Sequence, residues 1–229
     1  MFQVEQVSIA IISLVIIGMV FYFNGQLKKV ENGGELSRSL VAIIELVSYL
    51  DSFTRDAMGD KHGRRLSAYM ASVFIYILLS NISGLFGLTV PTSNWSVTLA
   101  LAVISWVLIQ IASIQTNGLG GYLKGYLDPF FVFLPMNILS EIGTILSLSL
   151  RLFGNLIAGS VLMGLLYGLG GWLSSFFPVI GQFNFIGPLI ASVFHMYFDL
   201  FSGAIQAFVF MSLTAIFVGM AFQDDEAEA

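Results

Sequence analysis

The stretch GTILSLSLRLFGNLIAGSVLM, residues 143–163, decides how the chain is read. It has the composition of a membrane-buried helix, and Arg151 is its one charge. An arginine keeps its proton inside a protein, so it cannot escape the cost of burial by neutralising. That cost at a bilayer centre starts at roughly 2.5–3.5 kcal/mol. Arg151 is therefore expected to face a partner or a water-filled cavity, not lipid. At about 100° per residue, Asn155, Ala158 and Leu162 share its helical face, with Gly159 on the flank. Gly154, Ala158 and Gly159 are small enough to let another helix come close.

The composition of the whole chain agrees with that stretch. The 229 residues are 57% hydrophobic and 10% charged, with a mean hydropathy of +0.88, whereas a soluble domain carries about 25% charged residues. The expected fold class is an all-α integral membrane protein forming a single membrane domain over 1–229. The lack of cysteine excludes disulfides and thiolate metal sites, and no cofactor or metal is expected. The net charge of −5 says little about partners, because Glu5, Asp224, Asp225, Glu226 and Glu228 lie in or near the ends.

Residues 7–23 form an apolar run long enough for a first span. The flank before it has no Lys or Arg, which argues for a retained helix and against a cleaved signal peptide. The segment 24–65 holds Lys28, Lys29, Arg38, Arg55, Lys61, Arg64 and Arg65. The positive-inside rule assigns it to the cytoplasm and the N-terminus to the outside. Within it, Leu36, Leu40, Ile43, Ile44, Val47 and Leu50 follow helical spacing, as in an amphipathic helix on the membrane surface. A helix packed on a partner subunit fits the same pattern. Residues 66–114 read as a hairpin of two spans with Pro91 to Asn94 as its outer turn. Trp95 and Trp106 serve there as interface anchors or as packing residues. Residues 117–129, NGLGGYLKGYLDP, read as a loop; no GKS or GKT follows, so its glycines are turn chemistry and not a phosphate cradle.

Two long helices, roughly 137–169 and 188–221, complete five spans plus one surface helix. Each would be about 50 Å long against a hydrocarbon core of about 30 Å, so the expected hairpin is strongly tilted. The C-terminus then lies in the cytoplasm. The remaining ionisable residues of this half are Glu141, His195 and Asp199. His195, Asp199, Ser202, Gly203 and Gln206 fall on one side of the last helix, a polar stripe that must line water or meet polar partners. Bland readings stand beside each. Asp199 pairs with His195 one turn away, Glu141 caps its helix start, and Gln206 makes a helix–helix hydrogen bond.

The string LSLRLFGNLIAG resembles a signature of the a subunit of F-type rotary ATP synthases, and Gln206-Ala207-Phe208-Val209-Phe210 is similar to that family's second signature. The resemblance is strong from Pro129 to Ala221, and its RLFGN form is closer to bacterial than to mitochondrial members. It implies a multi-pass subunit of a bacterial plasma membrane that is not catalytic alone. The implied partners are the c-ring, the peripheral-stalk b subunits and lipid, with no nucleic acid. The implied cargo is a proton, or sodium in a variant of the same subunit. In the implied scheme Arg151 meets the c-ring carboxylate and separates two half-channels, with Gly154, Ala158 and Gly159 packing close to the ring. Setting Arg151 level with Gln206, by analogy with the family, brings Asn155 near Ser202, and Ser160 near Tyr197, His195 and Asp199. Glu141 then lies about 15 Å away on the cytoplasmic side. The implied ion pathway comprises Asn155, Ser160, His195, Asp199 and Gln206 outward, and Glu141 inward. Two positions depart from the family pattern: Ser160 stands where bacterial relatives commonly carry Glu, and Asp199 where they carry His or Glu. A stand-alone channel or transporter is the competing class, and a purely structural scaffold is another; neither explains an arginine without a counter-ion at its level and a polar stripe on both long helices.

Overall fold

A computed structural model describes residues 4–32, 36–127, 130–176 and 186–223, and the described residues are nearly all helical. The helices are α1 (Val4–Glu31), α2 (Arg38–Met58), α3 (Asp60–Ile82), α4 (Trp95–Gly125), α5 (Leu134–Ser174), α6 (Ile186–His195) and α7 (Gly203–Gln223), with a π-helical stretch (Met196–Ser202) joining the last two. Five segments are long and apolar enough to span a membrane: Gln6–Val30, Asp60–Phe86, Trp95–Gly125, Phe131–Ser174 and Gly187–Phe222. The expected all-α membrane architecture therefore holds. The acidic tail 224–229 and the linker residues 177–185 lie outside the described residues.

Element ends differ from the sequence reading in a consistent direction. α1 runs on to Glu31, α3 starts at Asp60 and α4 continues to Gly125, because helices continue past the apolar window that defines a span. The expected loop at 117–129 is helical for most of its length. Its turn is concentrated at Gly118, where φ is 66° and ψ is 167°, a conformation that costs glycine little and other residues more. α5 is 41 residues long, or about 60 Å, which sharpens the mismatch with a hydrocarbon core of about 30 Å.

The core is a packing of α3, α4, α5 and α7. Met70 and Ile77 of α3, Ala102 of α4, Leu148 and Leu152 of α5, and Ala207, Phe210 and Met211 of α7 are buried in one cluster. Lipid tails are as apolar as leucine, so such contacts depend on van der Waals fit and on hydrogen bonds between helices. Thr214 donates to Ser105 (3.3 Å) across α7 and α4, and the Thr98 and Ser149 hydroxyls meet at 3.4 Å across α4 and α5. α1 lies at the edge, with Leu14, Val20 and Phe21 exposed.

α2 packs on α3 and α7 through Leu40, Leu50, Thr54 and Met58. The expected apolar stripe is thus divided, since Ile44 and Val47 of α2 stay exposed, as does Leu36 before it. The join to α7 is backbone-close: a Cβ at Gly219 would strike the carbonyl oxygen of Ala57. Replacing Gly219 by Leu is expected to push α2 off α7, with an overpacking cost of about 1–3 kcal/mol or more. The amount of chain recovered in the membrane fraction should fall, while Gly168→Ala, with open space at its Cβ, should accumulate normally.

Candidate functional site

Arg151 projects from the exposed face of α5, together with Leu150, Gly154 and Ala158. A Cβ at Gly154 would meet nothing within 4 Å, so no described part of the chain covers this face there. Among the described residues Arg151 forms no salt bridge; the pairs present are Arg55–Asp51 and His195–Asp199. The opposite side of α5 is occupied: Leu148, Ser149, Leu152 and Gly159 are buried. Gly159 lies against Phe198, 3.5 Å from where its Cβ would be. Its small size serves packing inside the chain, unlike that of Gly154 and Ala158.

Asn155 accepts a hydrogen bond from the Ser202 hydroxyl (3.0 Å), which sets the antiparallel register of the two long elements. One turn further along both helices, Arg151 and Gln206 come level. The Gln206 side-chain nitrogen is buried and has no hydrogen-bond partner among the described residues.

To one side of Arg151 is a cleft of about 460 Å³ lined by Gly84, Asn155, Ser160, Tyr167, His195 and Asp199, among others. The His195 Nδ1 and an Asp199 carboxylate oxygen are 2.9 Å apart, so this pair is made and also borders the cleft. Ser160 donates to the Ile157 carbonyl (2.9 Å) and is exposed. Tyr197 does not line this cleft; two residues from both His195 and Asp199, it points to the other side of the helix and packs beside Phe198 and Phe201. The π-helical stretch carries about one extra residue per turn and so redirects the residues that follow His195. It splits the expected stripe: Asp199 turns to the cleft, Ser202 to α5 and Gly203 to α3.

Asn81 braces this stretch. It is a buried side chain on α3, and its amide donates to the Gly203 carbonyl (3.0 Å). Its amide oxygen accepts from the Thr92 hydroxyl (2.9 Å). Gly203 permits the approach, since a Cβ there would lie 2.8 Å from that of Asn81.

On the other side is a second cleft of about 390 Å³, lined by Gln110, Asn117, Tyr122, Tyr126, Asn137 and Glu141, among others. A Glu141 oxygen accepts from the Trp106 indole (2.6 Å) and the Gln110 amide (2.7 Å). The Tyr122 hydroxyl donates to Gln110 (2.8 Å) and meets that of Tyr126 at 3.0 Å. Glu141 does not cap α5, which begins at Leu134. Burial, then the hydrogen bond with Tyr122 and the negative charge of Glu141, raise the Tyr126 pKa. That hydroxyl therefore stays protonated at neutral pH. The sequence reading takes its polar residues from the two long helices and treats Trp106 only as an anchor or packing residue, so Asn81, Gln110, Tyr122 and Tyr126 do not figure in it. Asn81 and Gln110 each interrupt an apolar run, and that was the available signal.

These features define a multi-pass α-helical membrane protein with clefts bearing polar side chains on both sides of an arginine that has no counter-charge among the described residues. The model of the ATP synthase A chain family matches residues 7–219, and the chain belongs to that family. It is similar to ATP synthase subunit a of Bacillus subtilis strain 168, at 34% identity over 189 residues, covering 79% of this chain and 78% of the relative. It is also 29% identical over 238 residues to the sodium ion specific ATP synthase subunit a of Propionigenium modestum, covering 96% of this chain and 76% of that one.

Asn81→Leu should leave the Thr92 hydroxyl buried without its acceptor, at a cost of about 1–3 kcal/mol. The thermal midpoint of the purified assembly should drop accordingly. An unchanged midpoint would mean that Asn81 is not a brace.

Proposed function

We propose that this chain carries ions to and from the c-ring of a rotary ATP synthase through two offset half-channels, and that the two clefts are the protein walls of those channels. The observation that carries this reading is the position of Arg151: on a face that no described residue covers, with a polar cleft on either side and no salt-bridge partner among the described residues. Its counter-charge then belongs to another chain, a carboxylate on each c-ring helix. Gly154 and Ala158 leave room for that helix. The positive-inside rule gives an N-terminus outside, a C-terminus in the cytoplasm and the Glu141 cleft on the cytoplasmic side. The peripheral-stalk b subunits and lipid are the remaining neighbours.

A proton enters from outside past Asp199, His195 and Ser160, crosses the Asn155–Ser202 contact and neutralises the c-ring carboxylate, which rotates into lipid. At the other cleft the carboxylate releases its proton, with Glu141 nearby. Arg151 favours the ionised carboxylate and so lowers its pKa, which drives release. Its fixed charge also blocks direct passage between the clefts. Each charge crossing is worth about 2.3 kcal/mol per 100 mV, and rotation conveys that free energy to nucleotide chemistry on other subunits. Length mismatch supports a steep tilt of α5 and of the helix pair that follows it, which would bring both clefts to the ring. The sodium ion specific relative supports a second reading, in which the same path conducts Na⁺.

In liposomes carrying the intact complex, Arg151→Ala should abolish ATP-driven proton pumping, leave hydrolysis by the soluble sector intact and raise passive proton flux. Pumping at the wild-type rate would refute the central role of Arg151. Pumping that requires Na⁺ would select the sodium reading.

A further inference from the structure

Where α3 begins, Lys61, His62, Arg64 and Arg65 crowd little more than one helical turn. The His62 ring lies on Phe222 at the end of α7, with centroids 3.8 Å apart and planes at 23°. His62, Arg65 and Gln115 form the polar rim of a cleft of about 170 Å³ whose walls include Leu66, Leu108 and Ile111. Arg65 is exposed and makes no salt bridge among the described residues. Lys61, one turn earlier, shares its helical face just outside the cleft, and neither Asp56 nor Asp60 lines the cleft either. Among the described residues, then, no carboxylate pairs with Arg65 at this corner, and its cation stands over an apolar floor.

The floor continues along α4. Ile111, Val107 and Ile104 follow Gln115 on one helical face and are 44%, 40% and 48% exposed. From Gln115 to Ile104 is about 16 Å along the axis, close to the depth of one leaflet of a core about 30 Å thick. A cationic rim at the end of a span, above an apolar track one leaflet deep, matches an anionic amphiphile. A soluble anion would have no use for the track, and a neutral lipid none for Arg65. We propose that this cleft binds an anionic phospholipid, its phosphate held by Arg65 with Lys61, and one acyl chain lying along Ile111, Val107 and Ile104. Basic pockets between spanning helices bind such headgroups. The bound lipid would join α3, α4 and the end of α7, and the inference is independent of the ion path.

The test uses the purified intact complex and phosphatidylglycerol carrying a photoreactive acyl chain, with crosslinks mapped by peptide mass spectrometry. Crosslinks are expected on α4 at residues 104–111, and Arg65→Gln should reduce them by about fivefold, the effect of losing one interfacial charge. Arg65→Lys should retain most of them, and Arg64→Gln, on another side of α3, should change them little. Equal labelling by phosphatidylcholine in the wild type would overturn the proposal, even if Arg65→Gln fails to assemble. So would equal losses in Arg64→Gln and Arg65→Gln, or an unlabelled α4 track covered by another subunit.

Discussion

A guanidinium that cannot release its proton, set in the middle of a long apolar helix, is the constraint from which the arrangement of this protein follows. Neutralising it is impossible at any ordinary pH, and no carboxylate among the described residues pairs with it. The remaining way to hold it is to keep its surroundings polar or open. α5 does this by burying one side, through Leu148, Ser149 and Leu152, and leaving the Arg151–Gly154–Ala158 side free. The helices that pack on α5 therefore gather on one side of it, and the polar clefts open at two levels along its length.

A second constraint acts on the partner of α5. Backbone groups within a membrane need internal hydrogen-bond partners, so the break between α6 and α7 takes the form of a π-helical stretch and not an open loop. The Asn81 amide supplies an additional donor at Gly203 and is itself held by Thr92. That small polar knot connects three elements at the level where Asp199 and Ser202 diverge. Glu141 is handled in the same way on the far side, with the Trp106 and Gln110 donors absorbing its charge. Both carboxylates are thus anchored by neighbours while their clefts stay open.

Much of the architecture was legible before any fold was known. Apolar runs long enough to cross a bilayer, interrupted by turn residues, are a property of composition, and they mark five spans. Arg151 was legible because its charge is permanent. The Asn155–Ser202 register was legible through the family resemblance, which sets Arg151 level with Gln206; a fixed rise per residue then brings Asn155 to Ser202. Less legible were neutral polar residues such as Asn81 and Gln110, whose roles depend on what lies opposite, and element ends such as those of α1 and α5, which continue beyond the apolar windows.

The sequence by itself determined the class of protein, the number of spans and the solitary charge, because these follow from hydropathy and ionisation chemistry, while the level of the polar companions came from the family resemblance combined with chain rise. Only the tertiary structure decided which way those companions face. Across the π-helical stretch Asp199 borders the cleft, Phe198 lies against Gly159 and Gly203 faces Asn81. A regular helical wheel cannot anticipate that, since a single extra residue per turn shifts every position around it. Likewise, that Glu141 meets Trp106 and Gln110 instead of its own helix start was settled by the packing of α4 on α5, a contact between residues more than thirty positions apart.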